Sequence, residues 1–269
     1  MRCVTATHRW RLLLFVLLSV ALLPLRAQTA AQVVDIPTRP GVTQRFVHLA
    51  PDKPRAAVIL LAGGHGGLRI FPNGSFGWGD GNFLVRTREL FAQQGLVVAV
   101  VDAPSDRQSA PFLSGFRQTP EHVADLKAVI AWLRDQTGVP VWLVGTSRGT
   151  QSAAWAATQL PRADGGPDGL VLTSTILSDP RSRAVPAMPL ERVAVPVLVV
   201  HHQQDGCALC AFALTPGLME KFTAAPRKEL IAVSGGISRG DPCEAAAYHG
   251  YNGVEADVVG RIAAWITAH

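Results

Sequence analysis

Five short stretches of this chain are almost unbroken runs of apolar residues: Ala56–Leu61, Leu96–Val101, Val139–Val144, Leu170–Leu172 with its flanks, and Val195–Val200. Runs of about six apolar residues, rich in valine and leucine and stopped by glycine, proline or aspartate, are what strands covered on both faces require. Thr43–Leu49 adds an earlier strand and Glu229–Val233 a late one. Between the runs the pattern changes to helical spacing. Asn82 can cap a helix from Phe83 to about Gln94, which Gly95 ends. Thr119-Pro120-Glu121 opens another, with Val123, Leu126, Ile130 and Leu133 on one face and Gly138 at its end. Further helices are expected from about 149 to Gln159, over 213–223 and over 253–267, and the connection 175–192 has room for one short helix. Strands alternating with helices predict a mostly parallel sheet with helices on both faces, built as one domain over residues 28–269 and without an insertion large enough to form a lid.

Residues 1–27 are set apart by composition. Arg2, Arg9 and Arg11 precede an apolar stretch from Leu12 to Leu23, and Ala27 offers a small residue for cleavage. That is the pattern of an export signal. The stretch is shorter than the roughly 20 residues a membrane span needs, so a periplasmic or secreted protein with no stable membrane span is expected. Removing the segment changes the charge. Of 25 basic and 20 acidic residues, four arginines lie in it and no acid does, so 21 face 20 in the remainder. The basic character of the whole chain therefore belongs to the leader, and no basic stripe with interleaved aromatics supports nucleic-acid binding.

The candidate chemistry lies at the ends of the apolar runs. Gly145-Thr146-Ser147-Arg148-Gly149 follows one run and precedes the alanine-rich start of a helix, the setting in which a serine sits on a sharp strand-to-helix turn. Its glycines suit a strained turn crowded by neighbouring backbone. A serine hydroxyl needs a base to take its proton and an acid to orient that base. Asp205 lies in the loop after Val197–Val200, and His249 in the last loop before the final helix. Asp179 is the rival acid to test and Asp241 a weaker one. His65, His122, His201, His202 and His269 are less well placed as base, although His201 or His202 could line a pocket. Backbone amides of Arg148 and of Gly64 or His65, in the glycine-rich loop Gly63–Gly67, are the candidate donors to an oxyanion. Gly67-Leu68-Arg69 lacks the Gly-Lys-Ser/Thr that would make this loop a phosphate cradle.

Cys207, Cys210 and Cys243 remain beyond the leader, giving one disulfide and one free thiol in an oxidising compartment. Cys207 or Cys210 paired with Cys243 would tie the acid loop to the base loop, and a local Cys207–Cys210 bridge is the simpler alternative. A CxxC without a matching partner does not make a metal or redox site, so no metal and no cofactor is expected.

With these motifs in order, the chain resembles the α/β-hydrolase superfamily from about residue 42 to 268, most of all small exported bacterial hydrolases. The resemblance implies a three-layer fold around a mostly parallel sheet. It also implies acyl transfer through a covalent acyl-enzyme, with Ser147 as nucleophile, Asp205 as acid, His249 as base and Arg148 supplying an oxyanion amide. Arginine after the nucleophile departs from the more frequent glutamine, methionine or small residue. The expected activity is a carboxylesterase acting on a small-molecule ester. An amidase, peptidase or thioesterase with the same triad, and a non-catalytic binding protein on this fold, are the alternatives.

Overall fold

The computed structural model describes residues 30–268; residues 1–27, expected to form an export signal, and the terminal His269 lie outside them. Eight strands form one sheet: β1 (Gln32–Arg39), β2 (Val42–Leu49), β3 (Ala56–Leu61), β4 (Leu96–Val101), β5 (Val141–Thr146), β6 (Gly169–Thr173), β7 (Val197–His202) and β8 (Lys228–Val233). Their spatial order is β1-β2-β4-β3-β5-β6-β7-β8. β2 runs antiparallel to both of its neighbours, β1 and β4, and every other pairing is parallel. Because each parallel connection crosses over a face of the sheet, helices cover both sides.

The apolar runs serve both faces at once. In β3, Ala57, Ile59 and Leu61 pack into the layer that holds Leu126, Val129, Ile130 and Leu133 of α3 (Pro120–Thr137) and the alanines of α4 (Gly149–Gln159). Val58 and Leu60 point the other way, toward Phe91 of α2 (Arg88–Gln93) and Val258, Val259 and Ile262 of α6 (Glu255–Thr267). All six β3 positions are buried, as the two-sided cover demands.

Three details differ from the sequence reading. β1 is an additional strand: Pro37 and a largely polar outer pattern hide it, and both are tolerable because it is an edge strand paired only to β2. The helix expected from Phe83 to Gln94 is two, α1 (Phe83–Arg86) and α2, because the buried Thr87 turns its hydroxyl back to Phe83 O and interrupts the helical path. The helix over 213–223 begins as a 3-10 turn and is α-helical only as α5 (Thr215–Lys221). The connection 175–192 holds two short 3-10 turns and no lid. Among the described residues no helix is long and apolar enough to cross a membrane.

Candidate active site

Ser147 follows β5 directly, at the carboxyl end of the central strands, and has φ +51°. A serine in the left-handed region is strained by about 1–3 kcal/mol, and the surroundings hold it there. Its amide donates to Thr173 O (3.0 Å), and its carbonyl accepts from Thr150 N (2.9 Å). The flanking glycines are sterically required: a Cβ on Gly145 would meet Gly149 O at 2.5 Å, and one on Gly149 would meet Leu61 O at 2.0 Å. The helix after the serine therefore packs directly against the end of β3. The same closeness places the glycine-rich loop, since Leu61 is in register with Gly145 and, two residues on, a Cβ on Gly63 would lie 2.9 Å from Ser147 Cβ.

Asp205 sits in the turn after β7 and is 8% exposed. Its Oδ1 accepts from Cys207 N (2.9 Å), and its Oδ2 pairs with His249 Nδ1 (2.9 Å). Burial pushes this carboxyl up, but the imidazoles of His201 and His249 and the Cys207 amide outweigh it and hold the group at about 2. Of those two imidazoles, His249 makes the hydrogen bond: His201 Nε2 lies 3.6 Å from Oδ2 and bonds Cys210 O at 2.7 Å instead. An Nδ1 engaged by a carboxylate leaves Nε2 for other work, and His249 Nε2 is buried with no hydrogen-bond partner.

His249 lies in a 3-10 turn (Tyr248–Gly250) that is fastened from below. Ser174 Oγ donates to His249 O (2.7 Å), while Tyr251, itself at φ +57°, donates its hydroxyl to Val200 O (2.7 Å) and accepts from Ser174 N (3.0 Å). The fully buried Tyr251 thus bolts the histidine turn to the ends of β6 and β7. Sequence reasoning missed it, because nothing local marks a tyrosine as a strut.

A cleft of about 370 Å³ brings Ser147, Arg148 and His249 together with Gly63 and Gly64. Trp78, Asn82, Ile176, Leu209, Cys243 and Glu244 line other parts of it. The Asn82 Oδ1 accepts from Leu84 N (3.2 Å), which leaves its Nδ2 on the Gly63 side, 3.4 Å from where a Gly63 Cβ would stand. His65 does not line the cleft. Its ring packs on Trp78 and Phe112, with centroids 3.8 and 4.3 Å away, and its Nδ1 accepts from Gly67 N. Gly63, which the sequence did not single out within its loop, is the residue pressed against Ser147.

The rival residues are engaged elsewhere. Asp179 binds Arg148 Nη1 (2.8 Å), Ser182 Oγ and Arg181 N (3.0 Å) rather than a histidine. Burial raises its carboxyl, but these three donors hold it at about 2. Asp241 accepts from Cys243 N in an exposed turn. His202 stacks on Tyr248 and bonds Gly235 O (2.9 Å), and neither it nor His201 lines the cleft. His122 is buried on α3, where burial and then Arg117 push it down to about 3.

The disulfide is Cys207–Cys243, spanning 36 residues, and Cys210 is a buried free thiol. Cys207 and Cys210 sulfurs and a ring nitrogen of His249 lie within 4.8 Å of one another, but the Cys207 sulfur is bonded to Cys243, so the group offers a single thiol. Burial, helped by the charge of Asp205, pushes that thiol well above the usual range. The bridge connects the acid loop to the wall of the cleft at Cys243 and Glu244. Closing a loop of this length restricts the unfolded chain by about 3–4 kcal/mol. Cys243→Ser is accordingly expected to lower unfolding free energy by about 2–4 kcal/mol in urea titration. A midpoint unchanged within error would show that the bridge contributes nothing.

Solved structures share this architecture. A dienelactone hydrolase from Anabaena variabilis superposes with a TM-score of 0.66, at 16% identity, over 90% of this chain and 99% of its own. The fold is that of the α/β-hydrolases. A Pyrococcus furiosus esterase gives 0.63 at 14% identity, over 89% and 93% of the two chains. An α/β serine hydrolase without a lid from Xanthomonas campestris gives 0.54 at 16%, over 89% and 95%. No protein-family model matches the sequence, and no curated protein matches it.

Proposed function

We propose that this α/β-hydrolase-fold chain is a serine hydrolase that cleaves carboxylic esters. The observation that carries this reading is the single cleft shared by a strained Ser147 and by His249, whose Nδ1 is tied to the buried Asp205 and whose Nε2 is buried and unpartnered. In this reading Nε2 takes the Ser147 proton as Oγ attacks the ester carbonyl. The tetrahedral oxyanion is received by the Arg148 amide, at the start of α4, and by an amide of the Gly63-Gly64 segment. Collapse expels the alcohol with the proton returned by His249. Water then repeats the sequence on the acyl-enzyme. Asp205 stays ionised throughout and holds the imidazole in the tautomer that leaves Nε2 as acceptor.

Several features support an ester substrate. The cleft is modest in volume, no lid covers it, and structures of the same fold include esterases and a dienelactone hydrolase. The side chain of Arg148 is neutralised by Asp179, so the cleft does not present an unpaired cation from that position. The disulfide supports export through residues 1–27, since such bridges persist in oxidising compartments. A fluorophosphonate probe is expected to label the protein at Ser147, with peptide mass analysis locating the adduct. Intact folded protein that takes up no probe would sink the hydrolase reading and favour a binding protein on this fold.

A further inference from the structure

Arg117 is a buried cation without an acid. It is 5% exposed, stands just before α3, and no carboxylate among the described residues comes within 4.0 Å of its guanidinium. All of its hydrogen bonds go to neutral acceptors. Nη1 donates to Ser152 Oγ (2.9 Å), on the helix that begins at the Ser147 turn, and Nη2 donates to both Ala62 O and Gly64 O (3.1 Å each). Burial, and then the nearby Arg148, push this guanidinium down to about 9. The loop is shaped around it, because a Cβ on Gly66 would meet Nη2 at 2.6 Å. Burying an unpaired charge is unfavourable, and an apolar side chain of similar volume would fill the space without that penalty.

The contacts indicate what the charge does. A peptide unit is planar, so holding the carbonyl of Ala62 also sets the Gly63 N–H, and holding that of Gly64 sets the His65 N–H. The Gly63–Gly64 peptide between them is then fixed from both sides. Two adjacent glycines would otherwise be the most mobile backbone in the cleft, and Gly64 is at φ +56°, a conformation most residues avoid. Only a planar fork with several donors reaches two loop carbonyls and a helix hydroxyl at once.

We propose that Arg117 is a positioning residue for hydrolysis at Ser147: it ties the glycine-rich loop to α4 and orients the loop amides toward the oxyanion. This rests on the serine-hydrolase reading above.

The test is steady-state kinetics on p-nitrophenyl butyrate with Arg117→Met and Arg117→Lys, together with inhibition by an alkyl trifluoromethyl ketone, whose adduct with serine carries an oxyanion. Activity is normalised to folded protein by circular dichroism. Arg117→Met is expected to lower kcat about 100-fold and leave KM within about threefold, the pattern of an interaction made in the transition state. The inhibition constant should rise by a similar factor. Arg117→Lys keeps the charge but loses the fork, and should fall between, at about tenfold. Variants that lose thermal stability yet keep kcat and inhibitor affinity would overturn the proposal, as would a change confined to KM. If neither variant folds, Ser152→Ala decides, since it frees the guanidinium from α4 only. A kcat reduced about fivefold at unchanged KM supports the proposal, and an unchanged kcat overturns it. Wild-type protein that neither turns over the ester nor takes up a fluorophosphonate would defeat the hydrolase reading and this proposal together. An active wild type with unaffected variants defeats the proposal alone.

Discussion

Ser147→Ala is expected to lower kcat for ester hydrolysis by about 10⁵-fold while leaving the protein folded. The substitution removes one oxygen. It keeps the backbone contacts that hold the turn, namely the amide to Thr173 O and the carbonyl to Thr150 N. Loss of activity would therefore report chemistry rather than structure. His249→Ala is expected to be nearly as damaging, and the double variant no worse than either, because a nucleophile without its base and a base without its nucleophile fail in the same step. Asp205→Asn should lose about 10⁴-fold, as an amide at that position favours the wrong imidazole tautomer. Initial rates on a chromogenic ester, with circular dichroism as the folding control, measure all four variants. Retention of more than about 1% of wild-type kcat by Ser147→Ala would contradict the assignment of the nucleophile.

The second large effect falls on folding. Gly149→Ala is expected to destabilise the protein by about 3 kcal/mol or more. The added methyl would sit 2.0 Å from Leu61 O and 2.9 Å from Ala62 O. Both are backbone atoms at the end of a strand buried on both faces, so neither can swing aside as the tip of a side chain could. Relief would require α4 to move off the sheet, which would separate Ser147 from the Gly63 loop. Gly217→Ala is the matched control. It lies within α5 with open space around its Cβ position, and should stabilise by about 0.5–1 kcal/mol through helix propensity. Urea midpoints for the two variants would be compared, and equal values would refute the close-approach argument.

The parts of the molecule that could be read from the chain are those whose requirements are local. A strand covered on both faces needs a continuous apolar run, and β3, β4, β5 and β7 announce themselves in this way. Glycines on both sides of Ser147 mark a turn where backbone passes close to backbone. β1 was hidden because an edge strand needs neither continuous hydrophobicity nor freedom from proline. The break at Thr87 was hidden because a hydroxyl turned back on its own helix leaves no periodic trace.

The site divides along the same line. Sequence order and strand ends were enough to nominate Ser147, Asp205 and His249. Three other decisions depended on which side chains meet across the fold. Cys207 and not Cys210 pairs with Cys243, although the two lie three residues apart in one loop. Asp179 is taken by Arg148, while Asp205 reaches the histidine. Gly63, Tyr251 and Arg117 acquire their places only from partners between 35 and 84 residues distant. By itself the sequence determined a mostly parallel α/β sheet and a candidate nucleophile, since these follow from short-range periodicity and turn sterics. Only the tertiary structure decided which buried groups are paired and which, like Arg117 and His249 Nε2, are left without a conventional partner, because satisfying a buried polar group depends on the neighbours that folding brings to it.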